Sequence, residues 1–129
     1  MPLPLAQQPD LAALDAEFAA LQAGFIQRLP ERRQRMEPLL KDLLSAESAV
    51  DLQSLKLLHR EVHNLVGAAG SYQLSDLSQS ARQLERVLWS LLSDVPPAVS
   101  TKVRQEFQQL TASLFTLMQH PSSAGQAQR

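Results

Sequence analysis

His63 is the side chain of this sequence best suited to nucleophilic chemistry near neutral pH. A neutral imidazole nitrogen carries a free lone pair, and histidine ordinarily changes charge between about pH 5 and 8. It stands in the stretch His63-Asn64-Leu65-Val66-Gly67-Ala68-Ala69-Gly70-Ser71-Tyr72, after a helical pattern that begins near Asp51. On a wheel turning roughly 100° per residue, Leu55, Leu58, Val62, Leu65 and Ala69 fall in one arc centred roughly 115° from His63. That arc predicts a buried seam with the imidazole on its exposed flank. Gly67 and Gly70, at i+4 and i+7, lie beside the ring on the same helix face. They are two of only four glycines in the chain, and each costs a helix interior about 1 kcal/mol relative to alanine. Clearance accounts for that cost: no side chain stands between His63 and a partner approaching along the helix.

His59 and His63 form an i,i+4 pair, the spacing that lets two imidazoles share a zinc ion. The rest of a zinc site is missing. In His59-Arg60-Glu61-Val62-His63 the glutamate stands one place later than in metalloprotease helices, and it lies roughly 160° round the wheel from His63. No motif supplies a third ligand, His120 is far along the chain, and there are no cysteines. We therefore expect no metal and no other cofactor. The chain also lacks a glycine-rich phosphate loop, so no nucleotide-binding motif accompanies His63.

The elements that must position this ring are helical. Of 129 residues, 44% are hydrophobic but only 5% aromatic. β-Branched residues are few, while alanine, leucine, glutamine and glutamate are abundant, which favours helix packed on helix. Residues 1–9 hold three prolines and read as a flexible lead, with Leu3 and Leu5 free to touch the bundle. Asp10 is placed to cap a first helix, whose stripe is Leu11, Leu14, Phe18, Leu21 and Phe25. Pro30 marks a kink or the first turn of a second helix, carrying Met36, Leu39, Leu40, Leu43 and Leu44. After a polar turn at Ser45–Val50, Asp51 caps the histidine helix, which runs to about Gly70. Tyr72-Gln73 open a tight connection, and Ser75 is the expected cap of a helix striped by Leu74, Leu77, Ala81, Leu84, Leu88 and Leu91. Asp94-Val95-Pro96-Pro97 breaks the chain before a last helix with Val103, Phe107, Leu110, Leu114 and Leu117. Pro121 ends it, and residues 121–129 read as a disordered tail.

Short connections make neighbouring helices antiparallel. The expected fold is all-α: an up-down four-helix bundle with an additional N-terminal helical segment, one domain over residues 10–120. A net charge of −1 gives no general attraction to nucleic acid or to an anionic membrane. The cluster Glu31-Arg32-Arg33-Gln34-Arg35 reads as a solvated helix face, since no aromatic platform accompanies it. No apolar run approaches the roughly 20 residues that span a bilayer, and no leader pattern opens the chain. The expected compartment is the cytoplasm, in keeping with the absence of cysteine.

The histidine stretch resembles the signature of histidine-containing phosphotransfer (HPt) domains: a histidine, an apolar residue two later, then glycine, small residues and a second small position. Ala81, Leu84 and Glu85 match the "A..LE" pattern of the following helix in that family. The detailed match covers about the middle third of the chain, and the bundle fold agrees with it. The resemblance implies that His63 is the phosphoacceptor, through Nε2, and that Gly67 opens the surface. It implies that Glu85 accepts a hydrogen bond from the other ring nitrogen and orients the imidazole. It further implies a partner: the receiver domain of a response regulator or hybrid sensor kinase, which brings its own magnesium ion. Leu52, Lys56, His59, Arg60, Val66, Gly67, Gly70 and Arg82 make up the expected docking face. Where most HPt domains have lysine three residues after the histidine, this chain has Val66; Lys56 and Arg60, within roughly 60° of His63, can supply positive charge instead. Gln73 likewise stands where a glycine is frequent. The loss of the lysine leaves a second reading open, a non-catalytic HPt-like module that sequesters a receiver or sensor kinase. A bundle of this size is expected to stand as a monomer.

Overall fold

The computed structural model describes residues 10–45, 50–93 and 99–121. The expectations for the 1–9 lead, most of the Ser45–Val50 turn, the Asp94–Pro97 break and all but the first residue of the tail lie outside these residues.

Among the described residues five helices follow one another: α1 (Leu11–Gln27), α2 (Leu29–Ser45), α3 (Leu52–Ser71), α4 (Ser75–Leu92) and α5 (Thr101–Gln119). Helices α2 to α5 close a ring in which α2 packs on α3, α3 on α4, α4 on α5 and α5 on α2. This is the four-helix bundle, and α1 is the additional N-terminal segment, separated from α2 by Arg28 alone. Three helices start on side-chain caps that satisfy orphan backbone donors. Asp10 accepts from the Ala13 amide, Asp51 from the Gln53 amide and Ser100 from the Val103 amide. Pro30 falls in the first turn of α2, where a missing N–H is harmless. Pro38 sits in the interior of the same helix on its exposed side, where its ring removes one backbone hydrogen bond of the helix.

One expectation at an element end changes. Ser75 does not cap α4: Leu74 occupies that position, makes no side-chain cap, and Ser75 is already helical. The turn before it is closed instead from the α3 side. The Leu74 amide donates to the Ala69 carbonyl (2.9 Å) and the Gln73 amide to the Gly70 carbonyl (3.1 Å). These are the paired bonds of a Schellman ending, whose left-handed position is usually glycine. Here Gln73 holds it, at φ 61°.

The stripes expected on α2, α3 and α4 supply most of the core, and every expected α4 residue is buried. In α5, Phe107 and Leu114 are buried while Leu110 and Leu117 are only partly so, and Thr111 and Met118 join the core. The stripe on α1 behaves differently. Phe25 is buried, and Phe18 packs on Tyr72 with ring centroids 6.2 Å apart. Leu11 and Leu21 remain 69% and 59% exposed, because only the C-terminal part of α1 lies against the bundle. Gln22 fastens that part, its amide donating to the Tyr72 carbonyl at 2.7 Å.

The α2 arginines are taken up by the fold. Arg33 pairs with Glu37 and lies over the Phe115 ring, Arg35 pairs with Glu61, and Arg32 lies over Phe25. Burial, aided by Arg35, pulls Arg32 below the usual guanidinium range. Among the described residues no helix is long and apolar enough to cross a membrane.

Candidate functional site

Helix α3 rests on α4 along its whole apolar seam, with Leu55, Leu58, Val62, Leu65 and Ala69 fully buried. That burial fixes the rotation of α3 and leaves its opposite flank in water. His63 lies on this flank with 68% of its side chain exposed. Its Nδ1 is hydrogen-bonded to Glu85 Oε2 from α4. Glu85 follows the buried Leu84 and is itself only 20% exposed, so the carboxylate sits behind the ring. As an ionised carboxylate it can only accept, which assigns the proton to Nδ1 and leaves Nε2 with its lone pair. The second nitrogen thus points a nucleophilic orbital away from the one group that holds the ring.

A Cβ built on Gly67 would meet nothing within 4 Å. The helix shoulder beside His63 is therefore open, as its position on the wheel predicts. Gly70 has a second neighbour to accommodate: a Cβ there would stand 3.4 Å from Ser78 Oγ. Helices α3 and α4 converge at this point, and the Ser78 hydroxyl donates to the Val66 carbonyl at 3.0 Å.

That convergence corrects the placing of Val66. Its side chain is 9% exposed and belongs to the core, since α4 covers the α3 flank on the near side of His63 as well as the seam. It offers little surface to a partner. Leu52, Lys56, Arg60 and Arg82 are exposed as expected, and His59 is half-buried next to the site. The ring of His59 stacks on His63 with centroids 6.1 Å apart and planes 14° from parallel. Glu61 points to the other side of α3, paired with Arg35 at 3.1 Å. Among the described residues no three His, Cys, Asp or Glu side chains converge in a way that would hold a metal ion.

Two residues at the site were not singled out from sequence. Trp89 is 62% exposed, and its ring lies 5.8 Å from that of His59. With Arg86 it walls a cleft of about 710 Å³ that also includes His59, His63, Glu85, Ser90 and Ser93. Antiparallel register was the available signal. Once Glu85 faces His63, the residue one turn after Glu85 faces the residue one turn before His63, which pairs Trp89 with His59.

The geometry serves group transfer: one exposed nucleophilic nitrogen, one carboxylate fixing its tautomer, and an open approach. A comparison with known protein families matches the Hpt domain over residues 20–113, which takes in the whole of α2, α3 and α4 and most of α5. No curated protein and no solved structure matches the chain.

Proposed function

Because the chain belongs to the Hpt domain family, whose members carry out histidine phosphotransfer in phosphorelays and interact with receiver domains, we propose that His63 relays a phosphoryl group between receiver-domain aspartates. The observation that carries this reading is the exposed His63 ring, tied through Nδ1 to Glu85.

In the proposed step the Nε2 lone pair attacks the phosphorus of an aspartyl phosphate. The N–P bond forms as the acyl P–O bond breaks, and the electron pair leaves with the aspartate carboxylate. The Nδ1 proton stays in place, so the ring becomes a positively charged phosphoimidazolium. Glu85 faces that new charge and stabilises it, most of all where the ring is partly shielded from water. Reversal passes the group to a second receiver. The receiver supplies its own magnesium ion, and we assign no metal or cofactor to this chain. The proposed setting is the cytoplasm.

Incubation with a radiolabelled phospho-receiver or autophosphorylated hybrid kinase tests the proposal. Wild type should gain label that His63→Gln abolishes, and failure to gain any sinks it. Val66, standing where a lysine is usual, favours the second reading, a module that only sequesters its partner. Partner capture that survives His63→Ala, with no phosphohistidine from any donor, would select that reading.

A further inference from the structure

We propose that Arg86 and His59 form the seat that holds the phosphoryl group once His63 carries it. This rests on the reading of His63 as the phosphoacceptor.

A phosphoryl group brings up to two negative charges to a surface position, and charge-assisted contacts from cations hold such a group best. The position of the usual lysine cannot supply one, since Val66 is buried with its carbonyl taken by Ser78. The cation must therefore stand elsewhere around the ring. Side chains on a helix lean toward its N-terminus, so the His63 ring tilts over the turn that carries His59. Its parallel stack on His59 reflects this lean. Glu85 holds the ring through Nδ1, which leaves Nε2 to serve the cleft shared by His59, Arg86 and Trp89.

Among the described residues, the groups lining that cleft that can carry positive charge, besides His63 itself, are Arg86 and His59. Among the described residues Arg86 forms no ion pair. Arg82, the arginine expected from sequence, does not line that cleft; it lies in a neighbouring recess with Gln79 and Gln83, whose wall Arg86 also shares. Trp89 lies beside His59, ring centroids 5.8 Å apart, and lines the same cleft. The cleft, at about 710 Å³, has ample room for a phosphoryl group.

The two cations differ in kind. Arg86 is charged at every accessible pH, whereas His59 contributes only as an imidazolium. The described titratable groups that share the cleft with His59 are His63 on its own helix and Glu85 and Arg86 from α4, and Lys56 stands one turn before it on α3. A phosphoryl group on His63 adds negative charge to that set and favours the imidazolium.

The test phosphorylates the full chain with phosphoramidate, a small donor that needs no docking, and follows phospho-His63 by ³¹P NMR between pH 6 and 9. Nearby cations favour the dianionic phosphoryl, so they hold the midpoint of its second ionisation low. Arg86→Gln should raise that midpoint by about half a pH unit or more, and Arg86→Lys should restore most of the difference. His59→Gln should raise it less, while Arg82→Gln should leave it in place. An unchanged midpoint in Arg86→Gln, or an equal rise in Arg82→Gln, overturns the proposal with the phosphoacceptor reading intact. Absence of phosphohistidine in wild type removes both.

Discussion

Gly67 offers the sharpest separation of stability from function in this chain. Its flank is open, with nothing within 4 Å of where a Cβ would stand, so a larger residue there meets no steric resistance from the protein itself. Gly67→Ala should then gain the helix propensity that glycine forgoes, about 1 kcal/mol. For a domain of this size that corresponds to a rise in Tm of roughly 4 °C. Gly67→Gln should also stabilise, by somewhat less. Transfer from a phospho-receiver should move the opposite way. Residues at i and i+4 have Cβ atoms about 5–6 Å apart, so a glutamine side chain reaches the ground a docking receiver must occupy. A displacement of about 1 Å at a transfer site can lower the rate about 100-fold, and we expect a loss of that order for glutamine and a smaller one for alanine. The assays are thermal unfolding by circular dichroism and label transfer from a receiver, with phosphoramidate as the control donor. Phosphoramidate needs no docking surface and should label Gly67→Gln as well as wild type. A drop in Tm for Gly67→Ala, receiver transfer unaffected by glutamine, or equal losses with both donors would each refute the role of clearance.

Other expectations follow from particular contacts. Gln73→Gly should stabilise the fold by about 1 kcal/mol, read as a higher urea midpoint at unchanged slope, because glycine carries no Cβ penalty in the left-handed position that closes α3. Glu85→Gln keeps an oxygen for the His63 Nδ1–H but loses the charge opposite the phosphoimidazolium, and should slow receiver transfer about fivefold in a single-turnover assay; Glu85→Ala should slow it further. Leu58→Ala, in the fully buried seam, should cost about 2–5 kcal/mol in denaturant unfolding, whereas Leu11→Ser on the exposed part of α1 should stay within about 0.5 kcal/mol.

Apolar spacing settled what depended on one helix at a time. The seams of α3 and α4 were legible because their leucines repeat at three and four and because the two helices pack on each other over most of their length. Asp10 and Asp51 were legible as caps because an acidic side chain precedes each periodic run. The turn at Gln73 was harder to foresee: a serine at position 75 has the chemistry of a cap, yet the Schellman bonds from Gln73 and Leu74 close the α3 end first and carry Leu74 into the cap position. The stripe on α1 is a regular apolar spacing with little of the described bundle beneath its N-terminal part. Periodicity shows which face of a helix is apolar, and says nothing of how far along the helix a partner surface extends.

The site was legible to the extent that it lies on one helix face, and incomplete where it depends on how close two helices come. The flank of His63 follows from the wheel alone. The burial of Val66 does not, because it is set by the Ser78 hydroxyl bonding the Val66 carbonyl, a contact between helices that only small residues near the crossing permit. The same close crossing brings Glu85 to His63, and antiparallel register then pairs Trp89 with His59 one turn along. Burying the usual lysine position and lining the cleft with Arg86 and His59 are therefore linked consequences of one packing geometry. Weakening the crossing should disturb both: Ser78→Leu, which removes the bond and adds bulk against Gly70, should separate Glu85 from His63 as well as lower stability. Loss of the His63–Glu85 hydrogen bond, read from the imidazole nitrogen shifts by ¹⁵N NMR, is the expected result. A destabilised but folded variant that keeps that bond intact would show that the two helices position the pair independently of their approach at Val66.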